Sequence, residues 1–347
     1  MSAAVSERAQ RREPAPGPSQ EGSRVGEFLG RLYWFTPPLA SLLDATPADG
    51  PDPYGNPDPE WLRIDWREHL RTIDVESHGH ATSVNYVELG PLEDDRGAAV
   101  LFVHGLAGCW QNFLENIPHF ARHHRVVALD LPGFGASPLP RWEISVETHG
   151  RLVRDFADAL DLDTCILVGN SMGGFVAAEA VLRNQKRFEK LALVSAAGIS
   201  HATRLSGPAV TAARMSVLVS PYVLGLREGA LRRPRLRHLI LRNLFYNPLA
   251  LRSELVFEIT AHAGTDGFLP ATRGMHGYDF RDSLEDVDAP TLIVWGRHDR
   301  IVPPADSAVY GERVRNSRTV IYDKTGHLAM AERPVRFNRE LEEFINQ

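Results

Sequence analysis

Short apolar runs recur along the chain between polar stretches, and each is long enough to form one strand of a sheet. The first two runs alternate with polar residues and predict an antiparallel pair. The later runs are almost continuously apolar, which is typical of strands buried on both faces of a parallel sheet. The predicted strands cover residues 72–75, 84–89, 98–103, 125–128, 164–168, 191–194, 291–294 and 319–322.

Apolar residues at helical spacing lie between several of these runs. One predicted helix face comprises Leu152, Val153, Phe156, Ala157 and Leu160, and another near the C-terminus comprises Phe337, Leu341, Phe344 and Ile345. The alternation of strands and helices predicts an α/β fold with a mostly parallel central sheet and helices on both faces. In such folds the functional loops follow the carboxyl ends of the strands.

The alternation is interrupted over residues 199–282, which we interpret as an inserted helical cap divided by prolines into short helices. Leu236, Leu239, Ile240 and Leu244 recur at helical spacing within it. A basic run accompanies them, comprising Arg227, Arg232, Arg233, Arg235, Arg237 and Arg242. Such a run usually forms a solvated helix face; attraction of an acidic substrate or an anionic lipid surface is the alternative.

The remaining chain divides into four parts. Residues 1–22 are charged and rich in Pro, Gly and Ser, which predicts a disordered tail without a secretory signal, and residues 23–70 form an N-terminal extension. Residues 71–198 and 283–347 are the two parts of the predicted core. Within the extension, residues 25–43 are apolar and aromatic but interrupted by Arg31 and Pro37-Pro38, so packing on the core is expected. Weak peripheral membrane contact is the alternative.

The sequence Gly169-Asn170-Ser171-Met172-Gly173 directly follows the apolar run 164–168 and matches the Gly-x-Ser-x-Gly pattern. This pattern predicts a sharp strand-to-helix turn that exposes the serine, with Gly169 and Gly173 allowing strand and helix to pack closely. A serine hydroxyl is a poor nucleophile until a base removes its proton. A serine nucleophile therefore requires a base, and an acid to orient that base, elsewhere in the chain.

Asp299 lies in a polar turn after the strand at 291–294, and His327 lies in a loop after the last predicted strand. The order Ser, Asp, His is that of a hydrolase triad. In that triad His327 accepts the proton of Ser171, and Asp299 orients the imidazole. Asp282, Asp286 and Asp288 are alternative acids.

Backbone N–H groups are predicted to bind the oxyanion that forms during acyl transfer. We expect one from Met172, at the start of the helix after the serine, and one from Leu106, in the loop after the strand at 98–103. His104 and Gly105 begin that loop. We expect His104 to order the loop by hydrogen bonding, without acting as the base.

Together these motifs resemble the α/β-hydrolase superfamily over about residues 70–347. The matching motifs are His104-Gly105, the segment 130–137, the segment 169–174, the segment 295–299 and Gly326-His327. The resemblance implies the α/β-hydrolase fold and, among its members, serine carboxylesterases and lipases. Asn170-Ser171-Met172-Gly173-Gly174 is also similar to the hydrolases that cleave carbon–carbon bonds in ring-fission products of aromatic compounds.

Two positions differ from those carbon–carbon hydrolases. They usually carry a glycine- and proline-rich oxyanion loop and a tryptophan after the histidine, whereas this chain has the segment 106–110 and Leu328. The sequence therefore favours hydrolysis of a carboxylic ester or lipid-like substrate. Carbon–carbon cleavage of a vinylogous diketone is the alternative, as is acyltransferase or perhydrolase activity on the same scaffold. A hydrolase-like ligand receptor is a further hypothesis, by fold analogy alone.

Composition limits the other possibilities. A chain of 347 residues with 43% hydrophobic content can bury one large core and an inserted subdomain. The net charge of −6 gives no footprint for nucleic acid, and two cysteines suggest a reducing, cytoplasmic location. We found no metal-ligand spacing and no dinucleotide fingerprint, so we expect a reaction without a cofactor.

Overall fold

A computed structural model describes residues 52–91, 98–200, 233–260, 262, 265–276 and 278–347. The predictions for the tail at 1–22, for the apolar segment at 25–43 and for Arg227 and Arg232 lie outside these residues. Of the predicted cap, residues 201–232 also lie outside them.

The core is one eight-stranded sheet in which every predicted run forms a strand. Its order is β1-β2-β4-β3-β5-β6-β7-β8. The pair β1–β2 is antiparallel and most other pairs are parallel, as the sequence predicted; the antiparallel pair β2–β4 was not predicted. The strands are β1 (Leu70–Ser77), β2 (His80–Leu89), β3 (Ala99–Val103), β4 (Val126–Leu129), β5 (Cys165–Asn170), β6 (Phe188–Val194), β7 (Thr291–Gly296) and β8 (Ser317–Tyr322).

Helices cover both faces of the sheet, which confirms the predicted fold class. Their bounds are α1 (Ile117–Phe120), α2 (Val146–Ala159), α3 (Met172–Arg183), α4 (Pro234–Leu241), α5 (Ser253–Ile259), α6 (Phe268–Met275), α7 (Ala305–Arg313), α8 (Ala329–Glu332) and α9 (Pro334–Ile345). Short 3-10 helices lie at Glu60–Arg63, Trp66–Glu68, Trp110–Phe113 and Arg281–Asp286. No helix of the described residues is both long and apolar enough to cross a membrane.

Strand β3 shows how the sheet separates two hydrophobic cores. Leu101 and Val103 pack into one core with α2 and α3, whereas Val100 and Phe102 pack into the other with α1 and α9. Successive side chains of a strand point to opposite faces, so a strand buried on both faces must be apolar throughout. All five residues of β3 are buried.

The predicted helix faces meet these cores. Leu152, Val153 and Phe156 of α2 are fully buried, and Phe337 and Leu341 of α9 are too. Helix α2 begins with a capping box. Thr148 N–H donates to Ser145 Oγ at 3.2 Å, and Ser145 N–H donates to Thr148 Oγ1 at 2.8 Å. Each bond satisfies a backbone donor that the first turn leaves unpaired.

Helix α4 differs from the sequence prediction in the face that it buries. Leu239 and Ile240 are 46% and 39% exposed, whereas Arg237 of the basic run is only 7% exposed. The Arg237 guanidinium donates a hydrogen bond to the carbonyl of Leu251, which compensates part of the cost of burying the charge. The helix ends at Leu241, so Leu244 lies beyond it. The prediction that the whole basic run is a solvated face is therefore wrong at Arg237.

The close packing of α3 on the sheet gives a test of the fold. A Cβ added at Gly173 would lie 2.2 Å from the carbonyl oxygen of Val103 and 2.4 Å from that of His104. Both oxygens are backbone atoms, so Gly173→Ala should destabilise the protein by about 1–3 kcal/mol through overpacking. Urea unfolding curves measure this change.

The matched control is Gly311→Ala in helix α7. There the nearest atom to the new Cβ is the hydroxyl oxygen of Thr319, at 2.9 Å, which a side-chain rotation can move away. Alanine also favours the helix by up to about 1 kcal/mol. A Gly173→Ala protein as stable as the Gly311→Ala protein would contradict the packing described here.

Candidate active site

Five polar side chains lie in loops that follow the carboxyl ends of five strands. His104 follows β3, Asp130 follows β4, Ser171 follows β5, Asp299 follows β7 and His327 follows β8. Because these strands are parallel, their carboxyl ends meet at one edge of the sheet. The fold therefore gathers residues from across the chain at that edge.

Ser171 adopts an unusual backbone conformation between β5 and α3. Its φ is 57° and its ψ is −121°, a combination that costs a non-glycine residue free energy. The surrounding backbone holds it: Ser171 N–H donates to the Val194 carbonyl at 3.0 Å, and the Ser171 carbonyl accepts from the Ala197 N–H at 3.0 Å. The side chain thus sits on a rigid, strained turn, as the sequence pattern predicted.

Glycines allow three segments to meet around this turn. A Cβ at Gly169 would lie 2.3 Å from the Gly173 carbonyl oxygen, so strand and helix touch through backbone alone. A Cβ at Gly105 would lie 2.9 Å from the Cβ of Ser171. The loop after β3 therefore packs directly against the serine.

Asp299 and His327 form a buried hydrogen-bonded pair. Nδ1 of His327 donates to Oδ2 of Asp299 at 2.8 Å, and both side chains are almost completely buried. The other carboxylate oxygen, Oδ1, accepts the N–H groups of Ile301 at 2.8 Å and Val302 at 3.0 Å. Because the carboxylate accepts a hydrogen bond from Nδ1–H, the neutral ring carries its single proton on Nδ1 and has an unprotonated Nε2 that can accept a proton.

The loops carrying Asp299 and His327 are fixed to each other through their backbones. His298 N–H donates to the Thr325 carbonyl at 2.9 Å. Gly296 and Gly326 lie so close that a Cβ on Gly296 would collide with the Gly326 carbonyl oxygen. The geometry of the Asp299–His327 pair is therefore set by the ends of β7 and β8.

Asn170 connects the serine turn to the histidine loop. Its side-chain amide donates to the Val194 carbonyl at 3.0 Å and to the His327 carbonyl at 3.4 Å. Ser171 and His327 thus belong to one cluster. Among the described residues, Ser171 Oγ forms no hydrogen bond to the His327 ring.

The two predicted oxyanion donors have free N–H groups. Met172 is the first residue of α3, where an N–H has no partner within the helix, and Leu106 lies in the loop packed on Ser171. Neither N–H donates to another described residue. The next residue, Ala107, has a φ of 60°, which gives the loop a sharp turn after Leu106.

His104 is fully buried and both of its ring nitrogens are hydrogen-bonded to backbone. Nδ1 donates to the Gly105 carbonyl at 2.7 Å, and Nε2 accepts the Leu131 N–H at 3.0 Å. Burial lowers the pKa of His104, since desolvation disfavours the charged ring. Its ring joins the loops after β3 and β4 and has no free nitrogen to accept a proton from Ser171.

Comparison with known proteins identifies the family. A model of the alpha/beta hydrolase fold family matches residues 98–334. The chain belongs to this family. This chain is 29% identical over 274 residues to the 2-hydroxy-6-oxononadienedioate/2-hydroxy-6-oxononatrienedioate hydrolase of Cupriavidus pinatubonensis. The alignment covers 73% of this chain and 89% of the relative.

Solved structures share the fold. A membrane phospholipase A is 25% identical to this chain, with a TM-score of 0.62. The match covers 93% of this chain and 96% of the phospholipase. A meta-cleavage product hydrolase from Pseudomonas fluorescens is 23% identical with a TM-score of 0.61, over 79% and 97% of the two chains. Proteins with this fold therefore act on different bonds.

Sequence reasoning overlooked Asp130 as a member of the site. Its carboxylate accepts hydrogen bonds from Trp110 N–H at 2.8 Å, from the Asn85 side chain at 2.8 Å and from Ala136 N–H at 2.9 Å. It therefore ties the end of the oxyanion loop to the turn after β4. Two signals were available: an acidic residue directly after a buried strand, and its place at the start of the motif at 130–137.

Glu332 of α8 was also overlooked, although it is fully buried behind His327. Its carboxylate accepts hydrogen bonds from Tyr54, Tyr246 and Gly326. Burial raises the pKa of Glu332 to about 7, and the negative charge of Asp299 adds to this, against the opposing effect of the three donors. The local sequence gives no signal for this role, because the partners come from distant parts of the chain.

The raised pKa of Glu332 predicts a dependence of stability on pH. A carboxyl group that holds its proton more tightly in the folded state stabilises the fold fully below its unfolded pKa of 4.5, and this contribution is lost as pH rises through about 7. The unfolding free energy of the wild type, relative to Glu332→Gln, should therefore fall by on the order of 3 kcal/mol over that range. Urea unfolding of both proteins at several pH values measures it. A difference that stays constant, or grows as pH rises, would contradict the raised pKa.

Proposed function

We propose that this protein is a cofactor-free serine hydrolase in which Ser171 is the nucleophile, His327 the base and Asp299 the residue that orients the imidazole. The observation that carries the proposal is the buried hydrogen bond from His327 Nδ1 to Asp299, which leaves Nε2 as the proton acceptor. The strained turn at Ser171, at the same edge of the sheet, supports it.

In the proposed reaction the Ser171 oxygen attacks a carbonyl carbon while His327 takes its proton. The N–H groups of Met172 and Leu106 stabilise the oxyanion, because preorganised donors cost no reorganisation when the charge appears. His327 then returns the proton to the leaving group. Water, activated by the same histidine, hydrolyses the acyl-enzyme.

For the bond that is cleaved, we propose a carbon–carbon bond in a vinylogous diketone of the 2-hydroxy-6-oxo-dienoate class. The support is the naming of curated relatives, including hydrolases from Cupriavidus pinatubonensis and Pseudomonas putida, for substrates of this class. The sequence alone favoured an ester.

Ester hydrolysis is the second candidate. The structural similarity to a membrane phospholipase A extends over 93% of the chain, compared with 79% for the structural similarity to the meta-cleavage product hydrolase. Leu328, next to His327, is buried and apolar. An acyl-enzyme on Ser171 would serve ester hydrolysis equally well, and an acceptor other than water would give acyltransferase or perhydrolase activity.

The two candidates are separated by steady-state rates on two substrate types. We expect the protein to bleach the visible absorbance of 2-hydroxy-6-oxononadienedioate with a kcat/KM at least about ten-fold above that for any p-nitrophenyl ester of short to long chain. Ser171→Ala should lower kcat on the preferred substrate by up to about a million-fold, since the nucleophile is lost.

Ser195→Ala is the matched control. Ser195 is fully buried directly after β6, and its hydroxyl has no hydrogen-bond partner among the described residues, so removing it should leave turnover unchanged. Preference for the esters would reverse the order of the two candidates. Full activity of Ser171→Ala on both substrate types would rule out the serine mechanism.

A further inference from the structure

Three segments that are distant in sequence meet at the buried carboxylate of Glu332. Oε2 accepts the Tyr54 hydroxyl at 2.5 Å and the Tyr246 N–H at 2.8 Å, and Oε1 accepts the Gly326 N–H at 2.9 Å. Tyr54 precedes the sheet, Tyr246 belongs to the predicted cap, and Gly326 directly precedes His327. One side chain therefore joins the histidine loop to two segments outside the sheet.

Residues 52–55 are held on α8 and α9 by further contacts. Gly55 N–H donates to the Glu332 carbonyl at 2.7 Å, and the guanidinium of Arg333 donates to the Asp52 carbonyl at 2.9 Å. The same guanidinium lies 5.0 Å from the centre of the Tyr54 ring. Tyr54 is thus clamped in the position from which it donates to Glu332.

The cap side of the network is equally constrained. Asn247 N–H donates to the Tyr54 hydroxyl oxygen at 2.8 Å, so Tyr54 bridges the cap residue and the carboxylate. His327 N–H donates to the Leu244 carbonyl at 2.9 Å. A Cβ at Gly326 would lie 2.8 Å from the Tyr246 nitrogen, which shows how closely the two backbones approach.

We propose that Glu332 and Tyr54 are positioning residues for His327, and that through them the segment at 52–55 and the cap residues at 244–247 set the placement of the imidazole. This inference rests on the proposed function, since it assigns His327 as the base. It adds Glu332 and Tyr54 to the residues on which the active site depends, and Tyr54 lies outside the part of the chain that matches the family model.

Charged groups near Glu332 affect its protonation, and its protonation affects the hydrogen bonds that hold the loop of His327. Asp299, in the loop after β7, disfavours the ionised form of Glu332, and the Arg333 guanidinium lies 5.0 Å from the centre of the Tyr54 ring. Burial and the nearby Glu332 raise the pKa of Tyr54 well above its ordinary value, so its hydroxyl remains a donor. An ionised Glu332 accepts all three hydrogen bonds through its two oxygens. A glutamine in its place has an NH₂ group instead of one oxygen, so this group faces at least one of the three donors and cannot accept its hydrogen bond.

The test compares Glu332→Gln and Tyr54→Phe with two matched controls. Glu115→Gln changes another buried carboxyl group, which is hydrogen-bonded to Trp61 and Asn56 and has no bond to the histidine loop. Tyr86→Phe changes another buried tyrosine, on β2. Active sites are counted by titration with a fluorophosphonate, and kcat and KM are then measured per active site on the preferred substrate.

We expect Glu332→Gln to lower kcat per active site at least about ten-fold with KM within about two-fold, because a small displacement of a catalytic group has a large effect on rate. Tyr54→Phe should show a smaller loss, and the double variant should lose less than the product of the two losses, since both act through one carboxylate. The controls should keep the wild-type kcat. A purely structural role would lower the number of active sites and leave kcat per site unchanged, which would overturn the proposal.

Hydrogen exchange separates this inference from the proposed function. The amides of residues 325–328 should exchange faster in Glu332→Gln than in Glu115→Gln, whatever the substrate. Unchanged exchange at these amides would overturn the inference. A wild-type protein that neither turns over the substrates nor reacts with the fluorophosphonate would instead overturn the proposed function.

Discussion

The close approach of β3, β5 and α3 around Ser171 is the constraint on which the rest of the site depends. Ser171 occupies a conformation that is costly for any residue with a side chain, and the packing of Gly169 against Gly173 and of Gly105 against Ser171 leaves the turn no room to relax. The strain is offset by the two buried cores on either side of the sheet. The same packing holds the loop that carries Leu106, a proposed oxyanion donor, against Ser171 through Gly105.

A second constraint acts on His327, the proposed base. The Asp299–His327 pair depends on the contact between the ends of β7 and β8, where Gly296 and Gly326 meet through backbone atoms. Glu332 then holds the histidine loop from behind, through donors that come from the cap and from the segment before the sheet. The proposed nucleophile, Ser171, is therefore fixed by local backbone geometry, whereas the proposed base, His327, is fixed by contacts over long sequence distances.

This difference explains which features could be predicted from the sequence. Two strands follow from alternating runs and six from almost continuously apolar runs, and the turn at Ser171 follows from a short glycine pattern, because each depends on neighbouring residues. Asp299 and His327 could be proposed from chain order. Glu332 could not, since its role arises from donors far away in the chain, such as Tyr54. The buried face of α4 was predicted wrongly for a similar reason: the partner of Arg237 is a backbone carbonyl, which leaves no mark in the sequence.

The most direct test of the account is to find which residue reacts covalently with a fluorophosphonate. The reagent is attacked by an activated serine, and mass spectrometry of the digested protein then locates the phosphonyl group. We predict a single adduct on Ser171 in the wild type and none in Ser171→Ala. An adduct on another residue, or no reaction of the folded wild-type protein, would contradict the assignment of Ser171 as the nucleophile.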